Sequence, residues 1–75
     1  MIIIRESTKQ MRDNILNNAL EVFTQYGYEN TSMRKIAART GITPGAIYKH
    51  FSGKDEIFQI IFEKCIHKFL SLFGY

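Results

Sequence analysis

Three glycines, Gly27, Gly41 and Gly53, divide a chain whose apolar residues otherwise recur at helical spacing. From about Lys9 to Tyr26 apolar side chains return every three or four positions, and Gly27 is placed to cap that helix. Its apolar residues are Ile15, Leu16, Ala19, Leu20, Val22, Phe23 and Tyr26. No segment alternates between apolar and polar residues for long enough to indicate a strand. The pattern predicts an all-α fold of four helices with short connections.

A short second helix is predicted after the connector 28–31. Thr31 or Ser32 can cap its N-terminus, and the helix should run to about Arg39 and end at Gly41. The residues that it should bury are Met33, Ile36 and Ala37.

The third helix is predicted from Thr43, a capping hydroxyl, through Pro44 at the first helical position to about His50. Two short helices joined by a turn containing Gly41 have the arrangement of a DNA-binding helix-turn-helix, in which the second helix projects into the groove. Ala37 is small where the helices approach. A shared core is expected from Ile36, Ile42 and Ile47. A generic pair of antiparallel helices has the same spacing.

A long last helix is predicted to reach Phe73, starting where Ser52 and Asp55 resemble a capping box. Its apolar stripe includes Cys65, which we interpret as an inert core thiol rather than a nucleophile. Beyond Cys65 the stripe exceeds any core that three short helices offer, so this segment should seek a partner. The residues concerned are Ile66, Phe69, Leu70 and Phe73; the whole stripe also contains Ile57, Phe58, Ile61 and Phe62.

Basic residues are concentrated in the middle of the chain. Five of the ten Lys and Arg lie between Glu29 and Asp55, where there is no acidic residue. The flanks carry the other five against all seven acids, so their net charge is −2 while that of the whole chain is +3. Localised positive charge is expected of a surface that faces phosphates, although a solvated face can show it by chance.

Arg34 and Lys35 stand in the first turn of the second helix. Cations there oppose the helix macrodipole at a cost of about 0.3 to 1 kcal/mol each. The cost is explained if the free N–H groups of the same turn receive a DNA phosphate, to which both cations are attracted. This favours a helix-turn-helix over a generic helix pair.

The segment from about Met11 to Phe62 also carries a specific pattern. Its most specific part is Ile47-Tyr48-Lys49-His50-Phe51 followed by Lys54. Further matching positions are Phe23, Tyr26, Gly27, Tyr28, Thr31, Ser32, Met33, Arg34, Ile36, Ala37, Gly41, Ile42, Thr43, Gly45, Asp55, Ile57 and Phe58. This pattern closely resembles the N-terminal domain of the TetR (tetracycline-repressor-like) family of transcriptional regulators.

The resemblance implies a three-helix helix-turn-helix DNA-binding domain over residues 1–53, with residues 54–75 as a connecting helix. The helix Thr43 to His50 corresponds to the recognition helix in the major groove. Phosphate contacts are implied for Thr43, Gly45, Tyr48, His50 and Lys54, and base contacts for Arg34, Ala46 and Lys49. The full set of implied DNA-binding residues is Thr31, Ser32, Met33, Arg34, Thr43, Pro44, Gly45, Ala46, Tyr48, Lys49, His50 and Lys54.

The chemistry of these residues agrees with those roles. Arg can fork onto guanine O6 and N7, Ala can meet a thymine methyl, and Gly45 lets the backbone come close. Two alternatives stay open. Tyr48 can be a half-buried core aromatic that still donates to phosphate, and His50 can interact with the C-terminal end of its helix dipole.

The expected function is binding of a double-stranded DNA operator, as part of a TetR-type regulator that acts as a repressor. Family members are longer, because a further helical domain forms the homodimer and binds a small-molecule effector; the chain is then an excised domain or a natural truncation. The alternative function is a helical interaction module that pairs with a full-length regulator.

Several classes are excluded or disfavoured by composition. A chain of 75 residues forms one small core, which leaves no room for a deep two-layer active-site cleft. A single Cys forms no internal disulfide and no Cys metal cluster, which fits a reducing cytoplasm. His67 has no placed carboxylate or Cys partner. We expect no catalytic residue, no metal, no cofactor, no membrane span, and no signal peptide at Met1–Ile4.

Overall fold

The computed structural model describes the backbone of residues 3–74 and the side chains of residues 8–74. Over this range the chain forms four α-helices and no strand: α1 Ile3–Tyr26, α2 Met33–Thr40, α3 Pro44–Tyr48 and α4 Lys54–Leu72. The all-α prediction is confirmed. Helix α1 begins six residues before the predicted Lys9. The prediction about Met1–Ile4 concerns side chains outside those described.

Helix α1 packs against α2 and α4 with one face. Its buried residues are Ile15, Leu16, Ala19, Val22 and Phe23. Leu20 and Tyr26 are exposed, so the predicted stripe was too wide: both lie beyond the face that α2 and α4 cover. The helix ends where the Gly27 N–H donates to the Phe23 carbonyl at 2.8 Å, with Gly27 at a φ of 81°.

The centre of the core joins all four helices. Ile36 and Ala37 of α2, Ile47 of α3 and Ile57 of α4 are fully buried, together with Phe51 in the α3–α4 connection. Ile42 is partly buried against the same cluster. The shared core predicted for the two short helices is therefore confirmed.

Helix α4 does not start with the predicted Ser52–Asp55 box. The helix begins at Lys54 with Gly53 as its cap residue, and Ser52 therefore bonds to Glu56, one residue beyond the predicted Asp55. The Glu56 carboxylate accepts from the Ser52 N–H at 2.7 Å and from its hydroxyl at 3.0 Å. These two bonds, followed by the nearby charge of Arg12, hold the pKa of Glu56 below its ordinary value.

The apolar stripe of α4 is largely uncovered. Ile57 is buried and Ile60 and Ile61 are partly buried, but Phe58, Phe62 and Cys65 are exposed. The interpretation of Cys65 as a core thiol was wrong, because α1 covers only one face of α4. The prediction for the segment after Cys65 is confirmed in one respect: Ile66, Phe69, Leu70 and Phe73 are all exposed in a single chain.

Candidate nucleic-acid interface

The N-terminus of α2 is capped as the sequence predicts. The Ser32 hydroxyl accepts from the Lys35 N–H at 3.1 Å, and the Ser32 carbonyl accepts from the Ile36 N–H. No acidic residue lies in the first turn. Ser32 and Arg34 are exposed there, so this turn presents positive charge to solvent.

The turn between α2 and α3 depends on Gly41. Its φ of 89° and ψ of 27° lie in the left-handed region, where residues other than glycine are strained. The N–H groups of Gly41 and Ile42 both donate to the Ala37 carbonyl, at 2.8 and 3.0 Å. This closes α2 and redirects the chain into α3 within three residues.

Helix α3 starts at Pro44 with Thr43 as its cap, whose hydroxyl accepts from the Ala46 N–H at 3.1 Å. It ends at Tyr48, two residues before the predicted His50. Ile47 faces the core, and the opposite face presents Gly45, Tyr48 and Lys49 to solvent. Thr43 and Pro44 are exposed, whereas Ala46 and His50 are half-buried.

Tyr48 is exposed and not half-buried, so the structure does not support a core aromatic at this position. Its side chain is 55% exposed, more than a core aromatic would be, so its phenol is available to a partner. The two short helices also face each other across a shallow groove, which is lined by Arg34, Lys35, Ala38, Ile42 and Pro44.

The five Lys and Arg side chains between Glu29 and Asp55 differ in the contacts that they make. Arg39 pairs with Glu21 at 3.2 Å on the α1 side. The Lys35 ammonium donates to the Asn30 carbonyl at 2.6 Å and lies over the Tyr26 ring. Lys54 is also engaged, as described next. In the part of the chain that the structure describes, the side chains of Arg34 and Lys49 make no hydrogen bond or ion pair. These are two of the three residues implied to contact bases.

Three of the implied DNA-binding residues, Thr31, Met33 and Lys54, are engaged in contacts within the protein itself. Thr31 is 3% exposed and its hydroxyl donates to the Gly27 carbonyl at 2.7 Å, and Met33 is buried in the core. Both side chains are therefore engaged within the fold, and their implied role in DNA binding stays a prediction. The Lys54 ammonium donates to the carbonyls of Tyr28 and Thr31 at 2.7 and 3.0 Å. One of its three protons is left for another acceptor.

Arg12 supports the end of α3 and was missed in the sequence. Its Nη1 donates to the His50 carbonyl at 3.0 Å, and its guanidinium lies 4.5 Å from the centre of the Phe51 ring. A cation at this carbonyl favours the C-terminal end of α3. The available signal was its place three and four residues before the buried Ile15 and Leu16, at the edge of the α1 stripe.

Within residues 3–74, no helix combines the length and the apolar character that crossing a membrane requires.

Comparison with known proteins supports the resemblance seen in the sequence. A family model for bacterial regulatory proteins, tetR family, matches residues 15–61. The HTH-type transcriptional regulator AcrR of Shigella flexneri is 41% identical over 59 residues, which cover 79% of this chain and 27% of that protein. A protein of Pseudomonas putida, named uncharacterized HTH-type transcriptional regulator TtgW, is 42% identical over 53 residues, or 71% of this chain and 40% of that protein.

A third relative is the biofilm operon icaADBC HTH-type negative transcriptional regulator IcaR of Staphylococcus epidermidis. It is 32% identical over 60 residues, covering 80% of this chain and 32% of that protein. The chain thus spans between about a quarter and two fifths of the length of these relatives. Helix α2, the turn at Gly41 and α3 have the arrangement of a helix-turn-helix. Because the family model matches more than half of the chain, the chain belongs to the tetR family of bacterial regulatory proteins.

Proposed function

We propose that this chain binds duplex DNA of a specific sequence, as the operator-binding part of a transcriptional repressor. The observation that carries the proposal is that the side chains of Arg34 and Lys49 are exposed and unpaired in the described part of the chain. Both cations are exposed at the helix-turn-helix and lack a protein partner among the described residues, whereas the other basic side chains of α2, Lys35 and Arg39, have one. Arg and Lys left free in this way can bond to guanine O6 and N7 in the major groove.

The surface around these two cations suits a phosphate backbone. Thr43 and Tyr48 offer exposed hydroxyl groups, and Gly45 lets the main chain of α3 approach closely. Ala46 and His50 are half-buried at the edge of the same surface. In this proposal α3 enters the major groove, Arg34, Ala46 and Lys49 read bases, and the hydroxyl groups position the helix.

The wider biology of the proposal follows from the relatives. One of them is named a negative regulator, which supports repression. The resemblance to the family further implies a homodimer contact and a small-molecule effector site in a further helical domain, and we include both in the proposal. A DNA-binding regulator of this kind acts in the cytoplasm.

The test compares two arginines of the same helix. Wild-type chain selects its preferred duplex from a randomised pool, and Arg34→Ala and Arg39→Ala are then assayed by competition against single-base changes. Arg34→Ala should relax the preference at one base pair by about 1 to 3 kcal/mol, the usual worth of a bidentate contact. Arg39→Ala removes the same charge, but its guanidinium pairs with Glu21, so the preferred sequence should persist.

Two results would count against the proposal. A wild-type chain that enriches no sequence from the pool would refute specific DNA binding. An Arg34→Ala variant with the same preference at every base pair would show that this side chain reads no base.

A second candidate function is a helical interaction module, which the exposed apolar face of α4 favours. Salt separates the two functions. A protein that makes about 6 to 10 phosphate contacts loses about 10³- to 10⁵-fold in affinity between about 50 and 200 mM salt. Pairing through apolar helix faces should be little affected over the same range.

A further inference from the structure

The first residue of α4 is bonded to the turn that precedes α2. The Lys54 ammonium donates to the carbonyls of Tyr28 and Thr31 and lies 4.3 Å from the centre of the Tyr28 ring. A cation at the start of a helix opposes the macrodipole, whereas Asp55 and Glu56 in the same turn favour it. The place of Lys54 is therefore explained by the turn that it binds and not by the stability of α4.

Tyr28 makes a second connection to the same helix turn. Its hydroxyl donates to Asp55 Oδ1 at 2.5 Å, across 27 positions of sequence. The ring packs against Phe23 of α1 and Phe58 of α4, with ring centres 5.8 and 5.2 Å away. The hydrogen bond to Asp55 is the main reason that the pKa of Tyr28 is raised.

The held turn leads directly into the site. Thr31, whose carbonyl accepts from Lys54, immediately precedes Ser32, the cap of α2. Thr31 is also fixed by its own N–H, which donates to the Tyr28 carbonyl at 3.2 Å, and by its buried hydroxyl. A displacement of the start of α4 therefore acts on Thr31, which is next to Ser32 and three positions before Arg34.

We propose that Tyr28 and Asp55, with Lys54, form a clamp that fixes the N-terminal turn of α2 to the start of α4, and that Tyr28 and Asp55 are positioning residues for DNA binding. This rests on the proposed function. Neither side chain brings positive charge to DNA, so their contribution is made through the placement of Ser32 and Arg34. The third proton of Lys54 stays available to a phosphate.

The direction in which one substitution changes the DNA affinity distinguishes a positioning role from an effect of charge. Asp55→Ala removes a carboxylate that repels DNA, so an effect of charge alone would raise the affinity. The clamp predicts a loss instead, by between about 2- and 30-fold, the range found for residues that act through others. Glu29→Ala is the matched control, because it removes an exposed acid next to Tyr28 that takes no part in the clamp.

Tyr28→Phe removes only the hydroxyl and keeps the ring packing. It should weaken binding of the duplex selected by the wild-type chain at least as much as Asp55→Ala, which loses the same hydrogen bond but also a charge that repels DNA. The double variant should bind as Asp55→Ala does, because both substitutions remove the same hydrogen bond. The salt slope should be unchanged in all three, since no phosphate contact is lost.

Hydrogen exchange of the free protein gives a reading that does not depend on DNA. The amides of Thr31 and Lys35 should exchange faster in Tyr28→Phe, while those of Ile15 and Ala19 in the core stay protected and show that the variant is folded. If the wild-type chain binds no duplex, the proposed function fails and exchange alone decides on the clamp. Unchanged exchange at Thr31 and Lys35, or a higher affinity in Asp55→Ala, would overturn it.

Discussion

A methyl group at Gly45 would meet almost nothing of the protein itself. The nearest atom would be the Thr43 hydroxyl oxygen at 3.9 Å, an ordinary contact distance, and the residue is not among the glycines with positive φ. A glycine inside a helix costs up to about 1 kcal/mol relative to alanine. The fold therefore does not explain this glycine, whereas the proposed close approach of a DNA backbone would.

Gly45→Ala should consequently separate stability from binding. We expect the free energy of unfolding to rise by about 0.5 to 1 kcal/mol, because the helix gains propensity and the unfolded chain loses freedom. The affinity for the selected duplex should fall, because the methyl group stands between α3 and the phosphates. Urea unfolding and duplex titration of the same preparation measure both quantities. Equal or tighter DNA binding by the variant would place Gly45 away from the DNA.

At the scale of the elements, the α3–α4 connection carries a pH dependence. The pKa of Glu56 is lowered mainly by the Ser52 N–H, then by the Ser52 hydroxyl, with a smaller effect of the Arg12 charge. A lowered pKa means that the folded state favours the carboxylate. The stability that it provides is fully present above the ordinary glutamate pKa of about 4.3 and is lost as the pH falls through the lower folded-state value.

Glu56→Gln should therefore flatten the acid side of the stability curve. Above that pH range the variant should unfold more easily than the wild-type chain, and the difference should shrink as the pH falls. Thermal unfolding from neutral to acid pH measures it, with Glu63→Gln as a control on the exposed side of the same helix. A difference in stability that is constant with pH would show that the bonds to Ser52 do not lower the pKa of Glu56.

The parts of each helix that depend on neighbouring residues were predicted well. The parts that depend on contacts with residues far along the chain were not. The caps of α2 and α3 follow from Ser32 and Thr43, whose side-chain bonds reach only three residues along the chain, and from Pro44 at the first position of α3. The predicted cap of α4 was wrong because the helix begins at Lys54, so that Ser52 bonds to Glu56 instead of Asp55. Asp55 accepts from Tyr28, a partner that no local pattern indicates.

The candidate site follows the same division. The outward face of α3 was predictable, because helical spacing places Gly45 and Lys49 opposite the buried Ile47. The burial of Thr31 was not, because it depends on how the α1–α2 turn packs against α4. Arg12 was missed for a similar reason, since its acceptor is 38 residues away.

At the scale of the whole molecule, α4 carries apolar surface that the other three helices do not cover. Phe69 is 56% and Phe73 is 66% exposed, and Ile66 and Leu70 lie on the same half of the helix. Single chains seldom expose a continuous patch of this kind. Burying one such side chain is worth about 1.5 to 3 kcal/mol before the cost of association is counted.

We therefore expect the chain to self-associate or to take up a helical partner through the segment after Cys65. Phe69→Glu and Phe73→Glu should abolish self-association without altering the core, which neither residue enters. Sedimentation of the three chains measures this. Such pairing need not place two recognition helices about 34 Å apart, so association and DNA affinity can vary independently. A wild-type chain that stays monomeric at high micromolar concentration would contradict the expectation of self-association.

The central claim is that duplex DNA meets the surface formed by the start of α2 and the outward face of α3. The most direct test is to follow every backbone amide by NMR while the selected duplex is added at low salt. We predict that the largest shifts occur at residues 32–35 and 43–50, and that the amides of residues 62–73 change little. Shifts confined to residues 62–73, with none in the helix-turn-helix, would contradict the claim.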